Sequence, residues 1–442
     1  MGAERVAAFS ILALTVGLSL VRPRIGRLRV EHAIAAGLGA VLSLSLGLVP
    51  LDLVAFAVKL LFFPILTIVS LMVITLIAER AGLFDLLSRA IATAARGNGR
   101  RLFAYVFGCG AVTGMVFTND AAVLIFTPLV FQLIEQVKGD SWTLQNKVPY
   151  YFAVLYVANL VGALVISNPI NIIVSSLFHI SFVEYAQWMI LPAAASVLVS
   201  FAGLTFVFRK HIPATFEWSP ALKPRVRDRR LLFLCALILS ITLIGFFTES
   251  LTGIPTWLVA FSGAVTLLGI YATVGNGRVG PILGGVSWDV LAFVVCIFVV
   301  VLGLRHVGLT HQIGGLLSHL AAESTWIMTL GTSLVAAVFS SIMNNHPTAD
   351  MMGWAIRDLS GPALQTKAMV YSALIGGDLG PKMLPIGSLA ALIWFRLLRD
   401  RGVHIPYSLY IKIGIPVTLA AILASVLVLN AELSLAGRLL HR

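Results

Sequence analysis

Apolar runs of about 20 residues, each long enough to cross a hydrocarbon layer as a helix, recur from one end of the chain to the other. The clearest lie at 53–78, 231–247, 256–273, 288–304 and 413–430. Strands that alternate polar and apolar residues in the manner of an outer-membrane barrel do not occur, which argues against that class. Two apolar stretches are interrupted by a short polar knot. The first reads Phe117-Thr118-Asn119-Asp120-Ala121-Ala122-Val123 and the second Met343-Asn344-Asn345-His346-Pro347-Thr348-Ala349. Each follows a Gly-Leu pair at the same distance, 37 residues from Gly82 to Asn119 and from Gly308 to Asn345. A second break follows each, at Ser167-Asn168-Pro169 and at Gly377-Asp378-Leu379-Gly380-Pro381-Lys382. Paired polar interruptions at matching places in two halves point to a transporter whose site lies at the repeat interface.

The pattern predicts helices at about 6–21, 31–49 and 53–78, with an amphipathic stretch at 84–95 lying along the membrane surface. Segment 102–136 is flanked by Arg100, Arg101, Lys138 and Lys147, so both its ends belong on one side. It is therefore expected to be a re-entrant hairpin with Thr118-Asn119-Asp120 at its tip. A helix at 148–178, broken at Ser167-Asn168-Pro169, and a helix at 187–208 complete a first repeat over 1–208. Residues 209–230 carry three prolines and seven basic residues and form a cytoplasmic basic linker. The second repeat, 231–442, has helices at 231–249, 256–273 and 288–304, a hairpin at 326–356, a broken helix at 365–395 and a last helix at 412–431. The expected fold is an all-α polytopic membrane protein of about 10 transmembrane helices plus two re-entrant hairpins. It is built as two inverted five-helix repeats with broken helices at midplane.

Charge placement orients this path. Arginines at 22, 24, 27 and 29, at 96, 100 and 101, and at 396, 399 and 401 join the linker as cytoplasmic loops, whereas the loops near 50, 180, 250 and 305–325 are poor in basic residues and face outward. Hydrophobic residues make up 59% of the chain and charged residues 11%, less than half the roughly 25% usual for soluble domains. The net charge of +12 follows from these loops, so no nucleic-acid partner is implied. The apolar stretch after Arg5 leads into Arg22-Pro23-Arg24 without a small-residue cleavage site, which reads as a first membrane helix rather than a cleavable signal. Cys109, Cys235 and Cys296 sit singly in apolar sequence with no metal-type spacing, and are expected as buried free thiols. No metal or cofactor is implied, and no phosphate loop of the Walker type is present.

Non-helical backbone at membrane depth must be buried in protein or line a wet cavity. Each break then offers free N–H groups and carbonyls to a ligand. Asn, Ser and Thr both donate and accept, so four breaks meeting at midplane would form a small, polar, largely uncharged pocket. Ionisable residues inside spans are costly and usually functional. Asp120, at a hairpin tip, is the first coupling candidate. Asp378 is the second, with Lys382 at i,i+4 spacing able to pair with it. Asp350, on the return arm of the second hairpin, is expected to face solvent and ranks lower. Cys109 lies ten residues before the first tip, about 15 Å along a helix, too far to join it. His346 is read as a hydrogen-bonded rather than a ligating residue.

Several of these stretches are familiar. Thr118-Asn119-Asp120-Ala121-Ala122 with Leu124-Ile125-Phe126-Thr127-Pro128, Ile166-Ser167-Asn168 with Asn171-Ile172, Ser340-Ser341-Ile342-Met343-Asn344-Asn345, and Asp378-Leu379-Gly380-Pro381-Lys382 with Pro385-Ile386-Gly387-Ser388-Leu389-Ala390 resemble the ArsB family of arsenite and antimonite efflux pumps. The resemblance runs in order along nearly the whole chain. It implies export of trivalent metalloid across the cell inner (cytoplasmic) membrane, coupled to the proton-motive force, with a soluble arsenical-pump ATPase as an optional partner. It also implies that Asn119, Ser167, Asn168, Asn344 and Asn345 lie near the substrate. The same breaks add Thr118, Asn171, Thr348 and Gly380 to the substrate-binding set, and Asp120, Asp378 and Lys382 form the proton-coupling set. His346 and Asp350 stand where the family usually has apolar residues.

Arsenous acid is neutral at pH 7 and carries three hydroxyls, which suits amides and hydroxyls. A dicarboxylate would call for Arg or more free helix N-termini, and no Arg sits at the four breaks. The leading expectation is a proton-coupled antiporter for arsenite and antimonite working by alternating access. Two others stay open: a sodium-coupled anion carrier of the same superfamily, and a membrane docking subunit for a soluble ATPase that uses loop 209–230.

Overall fold

Helices form where the apolar pattern runs unbroken, and they stop at glycine, proline or a capping polar residue. The computed structural model describes residues 2–25, 28–136, 142–216, 228–275, 277–359 and 361–440. The side chains of Leu20, Ile25, Leu28, Arg29, Asn119, Asp120, Ala121, Gln136, Leu389, Leu439 and Leu440 lie outside the description. The chain opens with α1 (Gly2–Val21), α2 (His32–Ser45) and α3 (Leu51–Ala81). Between α1 and α2, Arg24–Ile25 and Leu28–Arg29 pair as a short antiparallel ladder. Gly82 ends α3 in the left-handed region, φ 90°, where a side chain would be strained, and redirects the chain into α4 (Leu83–Ala95). Next come α5 (Gly99–Val116) and α6 (Asn119–Gln136), then α7 (Leu144–Val157), a 3-10 turn at Val165–Ser167 and α8 (Pro169–Leu177). α9 (Phe182–Val207) follows.

After the linker the chain continues through α10 (Arg229–Phe247), α11 (Glu249–Thr252), α12 (Thr256–Thr273), α13 (Gly280–Leu283) and α14 (Trp288–His306). Gly308, φ 83°, then does what Gly82 does, and α15 (Leu309–Glu323) starts. α16 (Thr325–Met343) and α17 (Asn345–Arg357) are the arms of the second hairpin. α18 (Ala363–Leu379), two 3-10 turns (Gly380–Lys382 and Pro385–Gly387), α19 (Leu389–Arg399) and α20 (Tyr407–Leu440) complete the chain. From α14 onward the succession of elements is the one that starts at α3.

The outside of this bundle is apolar: Leu198, Phe206 and Phe233 are each about two-thirds exposed (67%, 66% and 67%). Such a surface needs lipid around it. Among the described residues eight helices are long and apolar enough to cross a membrane, against the ten or so expected. Seven of them answer expected crossings, and the eighth is α16, an arm of the second hairpin. α2, with 14 residues, rises only about 21 Å. The other two expected crossings are each divided, α7 from α8 and α18 from α19.

Three further expectations are corrected. The first break is wider than Ser167-Asn168-Pro169, because helix is lost from Ala158 to Asn168. The second begins after Leu379, so Asp378 is still helical. The span 305–325, read as an outward loop, is the end of α14 and the whole of α15, with Ile313, Gly314 and Leu317 facing the core. The start of the linker is pinned to the α4–α5 junction, where Gly99 N donates to Ala214 O at 3.2 Å and Phe216 N to Gly97 O at 2.8 Å. Linker residues 217–227, with Lys223, Arg225 and Arg227, lie outside the described residues.

Helices from the two ends of the chain interleave. α2 packs on α14 and α12 on α3; α6 packs on α19 and α17 on α8; α9 lies along α20. α16 and α18 approach closely through small residues, Ser333, Ala337 and Ser340 facing Gly376, Gly377 and Gly380.

Candidate functional site

Pro169 starts α8 at a position where the missing N–H costs nothing, and Asn168 caps it, its Oδ1 accepting from Ile170 N at 3.3 Å. That leaves the Asn168 amide nitrogen free to point elsewhere. It donates to Asp378 Oδ1 at 2.6 Å. Asp378 Oδ2 accepts from Gly162 N at 2.9 Å and from Asn171 Nδ2 at 3.2 Å. The carboxylate, 1% exposed, thus takes three donors, from the first break and the first turn of α8. A buried carboxylate is tolerable only when hydrogen-bonded in this way. Gly162 has no room for a side chain: a Cβ would lie 2.3 Å from both Asn171 Nδ2 and Ser167 Oγ. Its carbonyl accepts from Tyr185 Oη at 3.1 Å.

A second tie runs the other way. Ser388 caps α19, its Oγ accepting from Ala391 N at 3.1 Å. The same hydroxyl meets the Asn159 amide, accepting from Nδ2 at 3.2 Å and lying 3.3 Å from Oδ1. The residue that caps the distal arm of each broken helix is therefore bonded to the other half, Asn168 to Asp378 near the end of α18 and Ser388 to Asn159 in the first break. Asn159, Gly162 and Ser388 were not among the expected site residues. The signal for Ser388 is its position before α19, equivalent to that of Asn168 before α8. Asn159 is a lone amide inside an apolar run.

The remaining expected residues divide. Ser167 is buried and donates to Leu164 O at 2.7 Å, within its own turn. Thr118 is buried at the first tip with its hydroxyl unpartnered, and Asn171 Oδ1 is likewise unpartnered. Asn119 begins α6, but the side chains of Asn119 and Asp120 lie outside the description. Gly380 fits against α16, where a Cβ would lie 2.4 Å from Ala337 O. Asn344 forms the second tip at φ 81°, ψ 160°, its Oδ1 accepting from His346 N at 3.2 Å and its carbonyl accepting from Thr348 Oγ1 at 2.8 Å. Asn345 is half-buried.

Asn344 is not hydrogen-bonded to Asp378. It lines a cavity of about 10 Å³ with Thr15, Ser19, His32, Phe293 and Pro347. The Thr15 and Ser19 hydroxyls and both ring nitrogens of His32 lack partners, and the space holds about one water molecule. His346 stands edge-on to Phe293, ring centres 5.8 Å apart. Its Nδ1 is unpartnered, which corrects the reading of a hydrogen-bonded ring on that side. The hydrogen bonding joins the two helix breaks, while the second tip faces the wall made by α1, α2 and α14.

Two expectations about charge are corrected here. Asp378 and Lys382 do not form an ion pair: Lys382 Nζ has no hydrogen-bond partner and lies 4.9 Å from the centre of the Tyr156 ring. Asp350 does not face solvent, being only 4% exposed. Of the cysteines, Cys235 is buried, whereas Cys109 and Cys296 are half-buried.

A family model described as "Arsenical pump membrane protein" (ArsB) matches residues 6–433. An arsenical pump membrane protein of Escherichia coli is 31% identical over 431 residues, 97% of this chain and 99% of the relative. One from Yersinia enterocolitica is 30% identical over 430 residues, with the same coverage of 97% and 99%. A putative arsenical pump membrane protein of Bacillus subtilis is 24% identical over 412 residues, 88% of this chain and 92% of the relative. Among solved structures, the Alcanivorax borkumensis YdaH transporter, described as having an unusual topology, shares the fold with a TM-score of 0.58 and 98% of each chain covered, at 14% identity.

Proposed function

The chain belongs to the arsenical pump membrane protein (ArsB) family, and from that membership we propose that it exports trivalent arsenic and antimony from the cytoplasm in exchange for protons. It does so by alternating access between two inverted halves, 1–208 and 231–442, joined by the basic linker 209–230. The observation that carries the mechanism is the Asp378 carboxylate held by Gly162, Asn168 and Asn171. A bond network that closes one break with a group from the other half must be remade whenever the halves move. The reciprocal packing of α2 on α14 with α12 on α3, and of α6 on α19 with α17 on α8, supports the two-fold reading. The basic loops supply the inversion, and the family's bacterial relatives favour the cell inner membrane.

Arsenous acid needs hydroxyl and amide partners rather than a cationic clamp. The unpartnered Thr118 Oγ1 and Asn171 Oδ1 suit it, with Ser167, Asn168, Asn344, Asn345, Thr348 and Gly380 shaping the surrounding breaks and Asn119 placed at the first tip by sequence. Asp378 and Lys382 supply the titratable pair for coupling, joined by Asp120. The soluble ATPase remains an optional partner, met through the linker. In an arsenite-sensitive bacterial host lacking that ATPase, the chain should restore growth on arsenite and antimonite. Failure to do so, with the protein present in the membrane, would count against export by the chain alone.

One observation favours the anion-carrier reading: Lys382 Nζ, buried at the second break, has no hydrogen-bond acceptor. Competition by succinate or citrate, together with a sodium requirement, would establish that alternative.

A further inference from the structure

Charge and shape coincide where α1 ends, α19 ends and α20 begins. A cavity of about 320 Å³ opens there, rimmed by Arg22, Arg396 and Arg399 and walled on its apolar side by Val21, Phe395 and Tyr407. One carboxylate, Asp400, also lines it, leaving a net positive rim. The Arg396–Asp400 ion pair is long, 3.9 Å, well beyond the 2.7–2.9 Å or so of a strong charge-assisted bond. Capping the end of α19 falls to another residue: Arg401 Nη1 donates to Leu397 O at 2.9 Å. Val21 and Tyr407, 75% and 52% exposed, continue the wall onto the apolar outer surface of the bundle. Arg22 follows the end of α1 and Arg396 and Arg399 lie in the last turn of α19, at two basic clusters that charge placement assigns to the cytoplasmic side.

We propose that this cavity binds the headgroup of an anionic phospholipid of the inner leaflet. The three guanidinium groups take the phosphate oxygens, since Arg is suited to multidentate phosphate contacts. The apolar wall carries the glycerol and the first acyl carbons. A soluble anion would use the rim but would gain nothing from a wall that runs into the lipid-facing surface. Basic pockets between transmembrane helices on the cytoplasmic side are suited to this recognition. The inference depends on the orientation of the chain and not on its cargo.

The test is native mass spectrometry of the full chain in detergent, titrated with phosphatidylglycerol, phosphatidylcholine or inorganic phosphate. Phosphatidylglycerol should remain bound at concentrations where phosphatidylcholine does not. The double variant R396Q/R399Q should weaken it by about five-fold or more per arginine, with an unchanged melting temperature in phosphatidylcholine. R278Q, an exposed arginine elsewhere, should leave it unchanged. Should the double variant fail to fold, R22Q and Y407S carry the same expectation singly. Equal binding of the two lipids, full binding by the variants, or displacement of the lipid by millimolar phosphate would overturn the proposal.

Discussion

The Asn168 side chain donates its amide to the Asp378 carboxylate at 2.6 Å across a separation of 210 residues. This bond, with those from Gly162 and Asn171, makes the break of one half depend on the other. The amide that caps α8 and the carboxylate near the end of α18 settle one another's hydrogen bonding in a setting where neither could be left unpaired.

Asp378→Asn should therefore harm both stability and transport. An amide oxygen cannot replace two carboxylate oxygens that take three donors, and hydrogen bonds to charged groups contribute about 1.5–3 kcal/mol each. Melting in detergent should show a loss of about 2–4 kcal/mol, and arsenite uptake should fall to background. A variant with native melting and native uptake would show that the tie is dispensable.

Two neighbouring glycines should respond differently to alanine. At Gly380 a Cβ would lie 2.4 Å from Ala337 O, a backbone atom that cannot swing away. At Gly377 the nearest atom is Ile170 Cδ1 at 3.6 Å, an ordinary contact. Gly380→Ala should lose about 1–3 kcal/mol by forcing α16 off the second break, whereas Gly377→Ala should melt near wild type. Equal melting temperatures for the two would contradict the close packing described here.

The second tip gives a test that separates backbone from side chain. Asn344 sits at φ 81°, ψ 160°, a region open almost only to glycine. Asn344→Gly should keep or raise stability while reducing uptake through loss of the amide. Asn344→Ala keeps that strain and removes the Oδ1 cap of α17, which should cost about 1 kcal/mol. Circular-dichroism melting of the two variants beside vesicle uptake distinguishes strain from binding; unimpaired uptake by Asn344→Gly would remove that amide from the substrate set.

Lys382 is buried with its ammonium over the Tyr156 ring and no hydrogen-bond acceptor. A buried ammonium without an acceptor bears a desolvation cost that an apolar side chain of similar length avoids. Lys382→Met should thus melt at or above the wild-type temperature and still lose gradient-driven uptake. Coupled transport that survives in the variant would exclude Lys382 from the coupling set.

Much of this arrangement is legible in the sequence because polar residues in apolar runs are conspicuous. Both polar knots, both helix breaks and the residues Asn168, Asp378 and Asn344 follow from that contrast alone, whereas Asn171 enters only through the family resemblance. The separation of Lys382 from Asp378 is not legible, because i,i+4 spacing implies contact only if the helix continues. α18 ends at Leu379 and residues Gly380–Lys382 are a 3-10 turn. A tighter turn of three residues instead of 3.6 swings Lys382 about 60° further round than an α-helix would, onto Tyr156. α15 is not legible because the span 305–325 is poor in basic residues and reads as an outward loop, although its Gly308-Leu309 start repeats Gly82-Leu83. Asn159 and Ser388 meet only through the interleaving of the two halves, which no local pattern encodes.

The most direct test of the central claim uses inside-out membrane vesicles carrying this chain alone. Arsenite accumulation is followed under an imposed proton gradient, and an uncoupler is then added. The account predicts accumulation that requires the gradient, collapses with the uncoupler and is absent in Asp378→Asn vesicles. Accumulation that ignores the uncoupler, or that appears only with sodium or an added ATPase, would contradict it.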